Sequence, residues 1–176
     1  MHIEGEIVIG RPVEEVFDFV ADECNEPRYN PQMRLAQKVS EGPIGVGTRY
    51  RAEVMSGRQV VPMDIELTGY ERPTMLASTT RMAPMDVRYA LTFDPIPQGT
   101  RMRWVGDVEP KGCLRLMAPV VGWLGRRQEV RIWAGLKDLL EEPGAPATDR
   151  PRAGAPLLRL HEALPAKVDH DGRGRL

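Results

Sequence analysis

Apolar and polar residues alternate along residues 1–110, and the period of the alternation changes in an ordered way. Ile3, Ile7 and Ile9 stand at odd positions with Glu4 and Glu6 between them, the period of two that a half-buried strand requires. Gly10-Arg11-Pro12 interrupts this pattern. Pro12 suits the first turn of a helix, and Val13, Val16, Phe17 and Val20 follow at helical spacing, with Glu14 and Glu15 near the positive end of the helix dipole. That helix is expected to stop near Asp22. The segment NEPRYNP (25–31) holds two prolines and reads as a turn or a very short helix.

A run of strand patterns comes next. Leu35–Ser40 is the weakest. Tyr50, Ala52 and Val54 alternate with Arg49, Arg51 and Glu53, and Val61, Met63, Ile65 and Leu67 alternate with Asp64, Glu66 and Thr68. Met75–Arg81 is short and rich in threonine and serine. Met85, Val87, Tyr89, Leu91 and Phe93 alternate with Asp86, Arg88 and Thr92, and Met102 and Trp104 with Arg101 and Arg103. Turn residues separate the runs at Ser56-Gly57, Glu71-Arg72-Pro73, Ala83-Pro84 and 95–99. One apolar and one charged face per strand predict an antiparallel sheet covered on one side. Leu114–Glu142 returns to helical period, with Met117, Val121, Leu124, Ile132, Leu136 and Leu139 on one face, and Pro119 kinks this helix or marks its start. Something must cover six or seven one-sided strands, and this is the only element long enough. The expected fold is α+β: a curved antiparallel sheet of six to seven strands gripping one long C-terminal helix. Residues 143–176, with five prolines and four glycines, are expected to be a mostly disordered tail with a possible short helix at 156–164.

Composition narrows the function. The chain of 176 residues is 41% apolar and 28% charged, and its 24 basic and 25 acidic side chains leave a net charge of −1. Nothing in that balance argues for nucleic acid or an anionic membrane. The N-terminus carries acids where a signal peptide needs a basic region, and no apolar run is long enough to span a bilayer. A cytoplasmic protein is expected. Cys24 and Cys113 form no C-x-x-C and are read as two thiols rather than a disulfide, with Cys24 as a small core residue.

Candidate chemistry is sparse. Gly42 and Gly47 in EGPIGVGTRY match the G-x-x-x-x-G of a phosphate loop. The lysine is missing after Gly47, and the loop leads into a strand where the motif must open a helix. These glycines are therefore read as turn residues. His2, His161 and His170 form no metal-ligand spacing and leave the predicted core without a histidine for nucleophilic catalysis, so no metal or cofactor is expected. Arg126, Arg127 and Arg131 read as a solvated basic face, with an anionic headgroup contact as the alternative. Gln128 falls midway along the apolar stripe. Either the stripe is slightly rotated and Gln128 lies at its edge, or the amide faces the interior and fixes the polar end of a ligand.

Three patterns, in this order and spacing, carry a resemblance to a known family. IVIGRPVEEVFDFVAD is similar to the first strand and helix of the START / Bet v 1-like (SRPBCC) superfamily of helix-grip proteins, which includes polyketide cyclase/dehydrase-like and lipid-transfer members. NEPRYNP resembles that family's N-x-P-x-W-x-P segment, with Tyr29 where tryptophan is usual, and EGPIGVGTRY its glycine-bearing hairpin. The resemblance covers residues 1–142 and leaves 143–176 outside. It implies a largely apolar cavity between sheet and long helix that binds a small lipid-like, polyketide-like or aromatic molecule. Tyr50, Met63, Ile65, Tyr89, Trp104, Leu124, Gln128 and Ile132 are the residues expected to line it. Two other readings stay open: a cyclase or dehydratase using the same cavity, for which no proton-transfer pair is visible in sequence, and an interaction module working through the tail. Oligomeric state is not indicated.

Overall fold

The computed structural model describes residues 1–112 and 118–143, and for 118–126 the backbone alone. Strand β1 (His2–Ile9) leads into helix α1 (Val13–Ala21) and a 3-10 helix (Glu23–Arg28). Six strands follow: β2 (Met33–Lys38), β3 (Arg49–Ser56), β4 (Gln59–Glu71), β5 (Met75–Met82), β6 (Met85–Ile96) and β7 (Gly99–Pro110). Helix α2 (Ala118–Glu141) comes last. All neighbouring strands are antiparallel in the order β1-β7-β6-β5-β4-β3-β2, so β2 to β7 form one meander and β1 closes onto its far side. The curved sheet grips α2, which is the helix-grip architecture expected from the alternation.

The strand faces follow their period. Tyr50 and Ala52, Met63, Ile65 and Leu67, Leu91 and Phe93, and Met102 and Trp104 are buried, while Arg51, Asp64, Arg88 and Arg103 are exposed. Helix α1 covers one part of the inner face. Its Phe17 is fully buried and meets Tyr70 of β4 and Phe93 of β6 edge-on, each at 5.2 Å between ring centres. Burying a side chain of this size contributes roughly 1.5–3 kcal/mol. Helix α2 covers another part and is tied down at its C-terminal end. Lys137 Nζ donates to the Val8 carbonyl (2.7 Å), and Gly10 N–H donates to Glu141 Oε1 (2.6 Å).

Some details depart from expectation. Strand β7 continues to Pro110, well past Trp104, because Gly106 is an inward position whose lack of a side chain hides the alternation. Strand β2 begins at Met33 and carries an irregularity at Arg34 that turns Leu35 outward. Cys24 is exposed rather than a core residue. The EGPIGVGTRY segment joins β2 to β3, as expected of a hairpin. Gly42 and Gly47 adopt φ of 83° and 84°, which favours glycine, whereas Gly45 does not have positive φ. Gly47 N–H donates to the Leu67 carbonyl and the Thr48 carbonyl accepts from Leu67 N–H, so the loop extends the β3–β4 ladder. The tail from 144 on, with the short helix considered for 156–164, and Cys113 lie outside the described residues.

Candidate functional site

The interior polar groups gather where α2 crosses β6 and β7. Tyr89 of β6 pairs in register with Gly106 of β7, and a Cβ on Gly106 would stand 2.9 Å from the Tyr89 ring. Glycine there makes room for the tyrosine to lie across β7 toward α2. The Tyr89 hydroxyl donates to Glu129 Oε2 at 2.5 Å. Trp133, one turn on from Glu129, shares its Nε1–H between the Tyr89 hydroxyl and Glu129 Oε2, each at 3.1 Å. Trp104 of β7 lies 5.8 Å from Trp133, and its indole occupies the space beside Gly5 of β1, where a Cβ would overlap it.

The other wall comes from the 3-10 helix. Tyr29 stacks on Trp133 at 6.1 Å between ring centres, and its carbonyl oxygen stands 2.6 Å from where a Cβ of Gly135 would be. Glycine at 135 thus lets α2 approach this backbone. Asn30, which is buried, donates to Glu26 Oε1 (2.7 Å) and accepts from Gln32 N–H (3.1 Å). The side chain of Gln32 in turn accepts from Gln128 Nε2. The segment that resembles N-x-P-x-W-x-P therefore positions the Tyr29 ring against α2, and Asn30 within it holds the backbone of Gln32, whose amide meets Gln128.

Electrostatics sets this cluster apart. Burial pushes the Glu129 carboxyl above its ordinary value, Glu26 adds repulsion, and the hydrogen bonds from Tyr89 and Trp133 pull the other way. Burial also raises Glu26, against hydrogen bonds from Asn30 and Glu23, and burial followed by Glu26 raises Glu23 well above the carboxylate range. Both glutamates nonetheless keep part of their surface in contact with solvent. The Tyr89 phenol is raised by burial first and Glu129 second, so it stays protonated and acts as a donor. Tyr29 is raised by burial and by all three carboxylates. A carboxyl that takes up a proton readily, touching a phenol held neutral, can accept or deliver a proton inside the fold. Cys24, raised to about 11 by burial first and Asp22 second, offers no comparable reactivity.

The residues expected from sequence divide accordingly. Tyr89, Trp104 and Gln128 lie in or beside the cluster, and Ile132 is buried on the same helix. Met63 and Ile65 are buried on β4. Tyr50 is fully buried with its hydroxyl donating to the Ala21 carbonyl at 3.3 Å, so its polar tip is used at the end of α1. The Leu124 side chain lies outside the described residues. Among the described side chains of α2, Ile132, Trp133, Leu136 and Leu140 are the buried ones, so over this part the stripe is rotated by about one residue from the one counted in sequence. Gln128 sits half-buried at its edge and Glu129 turns inward. Sequence reading missed Glu129, Trp133, Tyr29 and Gln32. The available signal was a glutamate four residues before a tryptophan, spaced to lie beside the same stripe.

Two surface concavities lie elsewhere, one of about 340 Å³ beside Arg51, Met63 and Lys111, the other between the β1–α1 and β6–β7 connections. Neither borders Tyr89, Gln128 or Glu129. Among the described residues, no group of three or more His, Cys, Asp or Glu side chains is arranged to hold a metal ion, and no helix is long and apolar enough to cross a membrane.

Comparison with known proteins bears on this geometry. Residues 1–141 match the family model described as polyketide cyclase/dehydrase and lipid transport. Among solved structures, a START superfamily protein from Mycobacterium smegmatis superposes with a TM-score of 0.70 at 15% identity, over 80% of this chain and 97% of that one. The Zhui aromatase/cyclase from Streptomyces sp. R1128 gives 0.66 at 12%, over 80% and 93%. A protein from Thermus thermophilus gives 0.66 at 17%, over 78% and 95%. At these identities the likeness is one of fold. No curated protein matches the sequence significantly.

Proposed function

Because the chain belongs to the polyketide cyclase/dehydrase and lipid transport family, we propose that it binds a small hydrophobic molecule between the sheet and α2, in the cytoplasm. The observation that carries this reading is the Tyr89–Glu129–Trp133 cluster. Three hydrogen-bonding side chains converge on the covered face of a sheet, where apolar packing alone would serve stability at lower desolvation cost. Such a cluster supplies the few oriented polar groups that a mostly apolar site needs. Met63, Ile65, Trp104, Leu124 and Ile132 would give the apolar lining, the ring of Tyr50 its floor, and Gln128 with Tyr89 the polar end.

The test combines mass spectrometry of whatever co-purifies with the full chain and thermal shifts against a panel of lipids, aromatics and polyketide-like compounds. A bound molecule, or a shift that saturates, is expected. An empty protein that no member of the panel stabilises would overturn the reading.

One observation favours a second reading, a cyclase or dehydratase. Tyr89 and Glu129 are two ionisable groups in contact, the proton-transfer pair that the sequence does not reveal. As a carboxylate, Glu129 would take a proton from a carbon next to a carbonyl, and the Tyr89 phenol would stabilise the resulting enolate oxygen. Turnover of a β-ketoacyl thioester mimic, lost in Glu129→Gln, would support it. Binding without turnover would leave the carrier reading alone.

A further inference from the structure

Among the described residues, the polar end of the site is short of cations and rich in acceptors, and this bears on what it takes. Resting on the binding reading above, we infer that the ligand's polar end is a protonated amine and that carboxylate-headed molecules are disfavoured.

The hydrogen-bond inventory leads there. The indole of Trp133 has one donor and no acceptor, and that donor is spent on Tyr89 and Glu129. The single O–H of Tyr89 is spent on Glu129. Gln128 donates through Nε2 to Gln32. The described bonds at Glu129 all end on Oε2, so Oε1 and the Gln128 carbonyl are the acceptors the wall still offers. Gln32 and Gln128 keep neutral amide N–H donors, which suit a hydroxyl or carbonyl and do not offset an anionic charge.

Charge points the same way. Among the described residues, the groups acting on the Glu129 carboxyl are Tyr89, Trp133 and Glu26, none of them cationic. A carboxylate or phosphate head brought here would face acceptors and the Glu129 and Glu26 carboxyls. An ammonium would bring donors and the missing positive charge, in hydrogen bonds roughly twice as strong as neutral ones. Glu129, Tyr89, Gln32 and Gln128 are each only half-buried, so a headgroup has surface to reach.

The experiment uses the full chain with three probes of one chain length: decylamine, decanol and decanoate. Dissociation constants are read by calorimetry at about pH 7, where the amine is protonated and the acid ionised. The amine is expected to bind about tenfold or more tighter than the acid, with the alcohol between them. In Glu129→Gln the amine should fall to within about twofold of the alcohol, whose affinity should not change. Decanoate binding as well as decylamine would overturn the inference and leave the binding reading standing, as would an amine preference that survives in Glu129→Gln. Failure of all three probes would count against the binding reading and the inference with it. If Glu129→Gln does not fold, the wild-type ratio of amine to acid decides the question.

Discussion

Replacing Gly135 by alanine sets two physical terms of opposite sign against each other. In the middle of a helix alanine is better than glycine by about 1 kcal/mol, so propensity alone predicts a more stable protein. The structure predicts the reverse. A Cβ at 135 would stand 2.6 Å from the Tyr29 carbonyl oxygen, and the obstacle is backbone rather than a flexible side-chain end. Non-bonded heavy atoms settle near 3.5 Å, so α2 and the Tyr29 segment must separate by roughly 1 Å. That segment has little freedom. The Tyr29 ring packs on Trp133 and Phe19, and its N–H donates to the Glu26 carbonyl at 3.1 Å. Forcing a methyl into such a contact costs about 1–3 kcal/mol. A contact of 2.6 Å with backbone falls in the upper part of that range, about 2–3 kcal/mol, so after the propensity gain Gly135→Ala should destabilise by about 1–2 kcal/mol, lowering Tm by roughly 2–8 °C. Urea unfolding followed by tryptophan fluorescence measures it. Gly45→Ala is the control, with nothing within 4 Å of its Cβ and no positive φ, and should stay within about 0.5 kcal/mol of wild type. A Gly135→Ala protein as stable as wild type, or more so, would refute the close approach of α2 to Tyr29 and with it the assembly of the site.

Other outcomes follow from the same geometry. The Glu129 carboxyl is raised in the folded state, so the native protein binds the extra proton and loses stability as pH rises from the ordinary value of 4.5 through the raised one. Relative to wild type, Glu129→Gln should therefore gain stability across that window in urea unfolding at a series of pH values, and parallel curves would contradict the assignment. Gln128→Leu should keep the fold, at about 1 kcal/mol for the unpaired Gln32 amide, and shift ligand selectivity away from polar-ended compounds once a ligand is identified; an unchanged binding profile would remove its role. In Gly5→Ala the new methyl overlaps the Trp104 indole, which must swing off Trp133. Near-ultraviolet circular dichroism should show the loss of that indole pair, with a stability cost of about 1–3 kcal/mol, and an unaltered spectrum would argue against the placement.

The sequence by itself determined the architecture. Tyr50 and Ala52, Met63, Ile65 and Leu67, and Leu91 and Phe93 point inward because alternation along a strand is local, and any register that buries one must bury the set. The helix-start signal at Pro12, the stop at Asp22, and the turn residues at Gly57 and Gly99 are local in the same sense. What only the tertiary structure decided is the rotation of α2 about its axis. Gln128 and Glu129 are neighbours in sequence, and a turn of one residue exchanges which of them faces the interior. That angle is set by contacts far apart in the chain: Gly135 against Tyr29, Trp133 against Trp104, Lys137 against Val8. No periodicity encodes it, because Glu129 is a charged residue beside an apolar stripe and reads as surface until Tyr89, forty positions earlier, is seen to meet it. The proton-holding pair exists only once strand and helix are packed together.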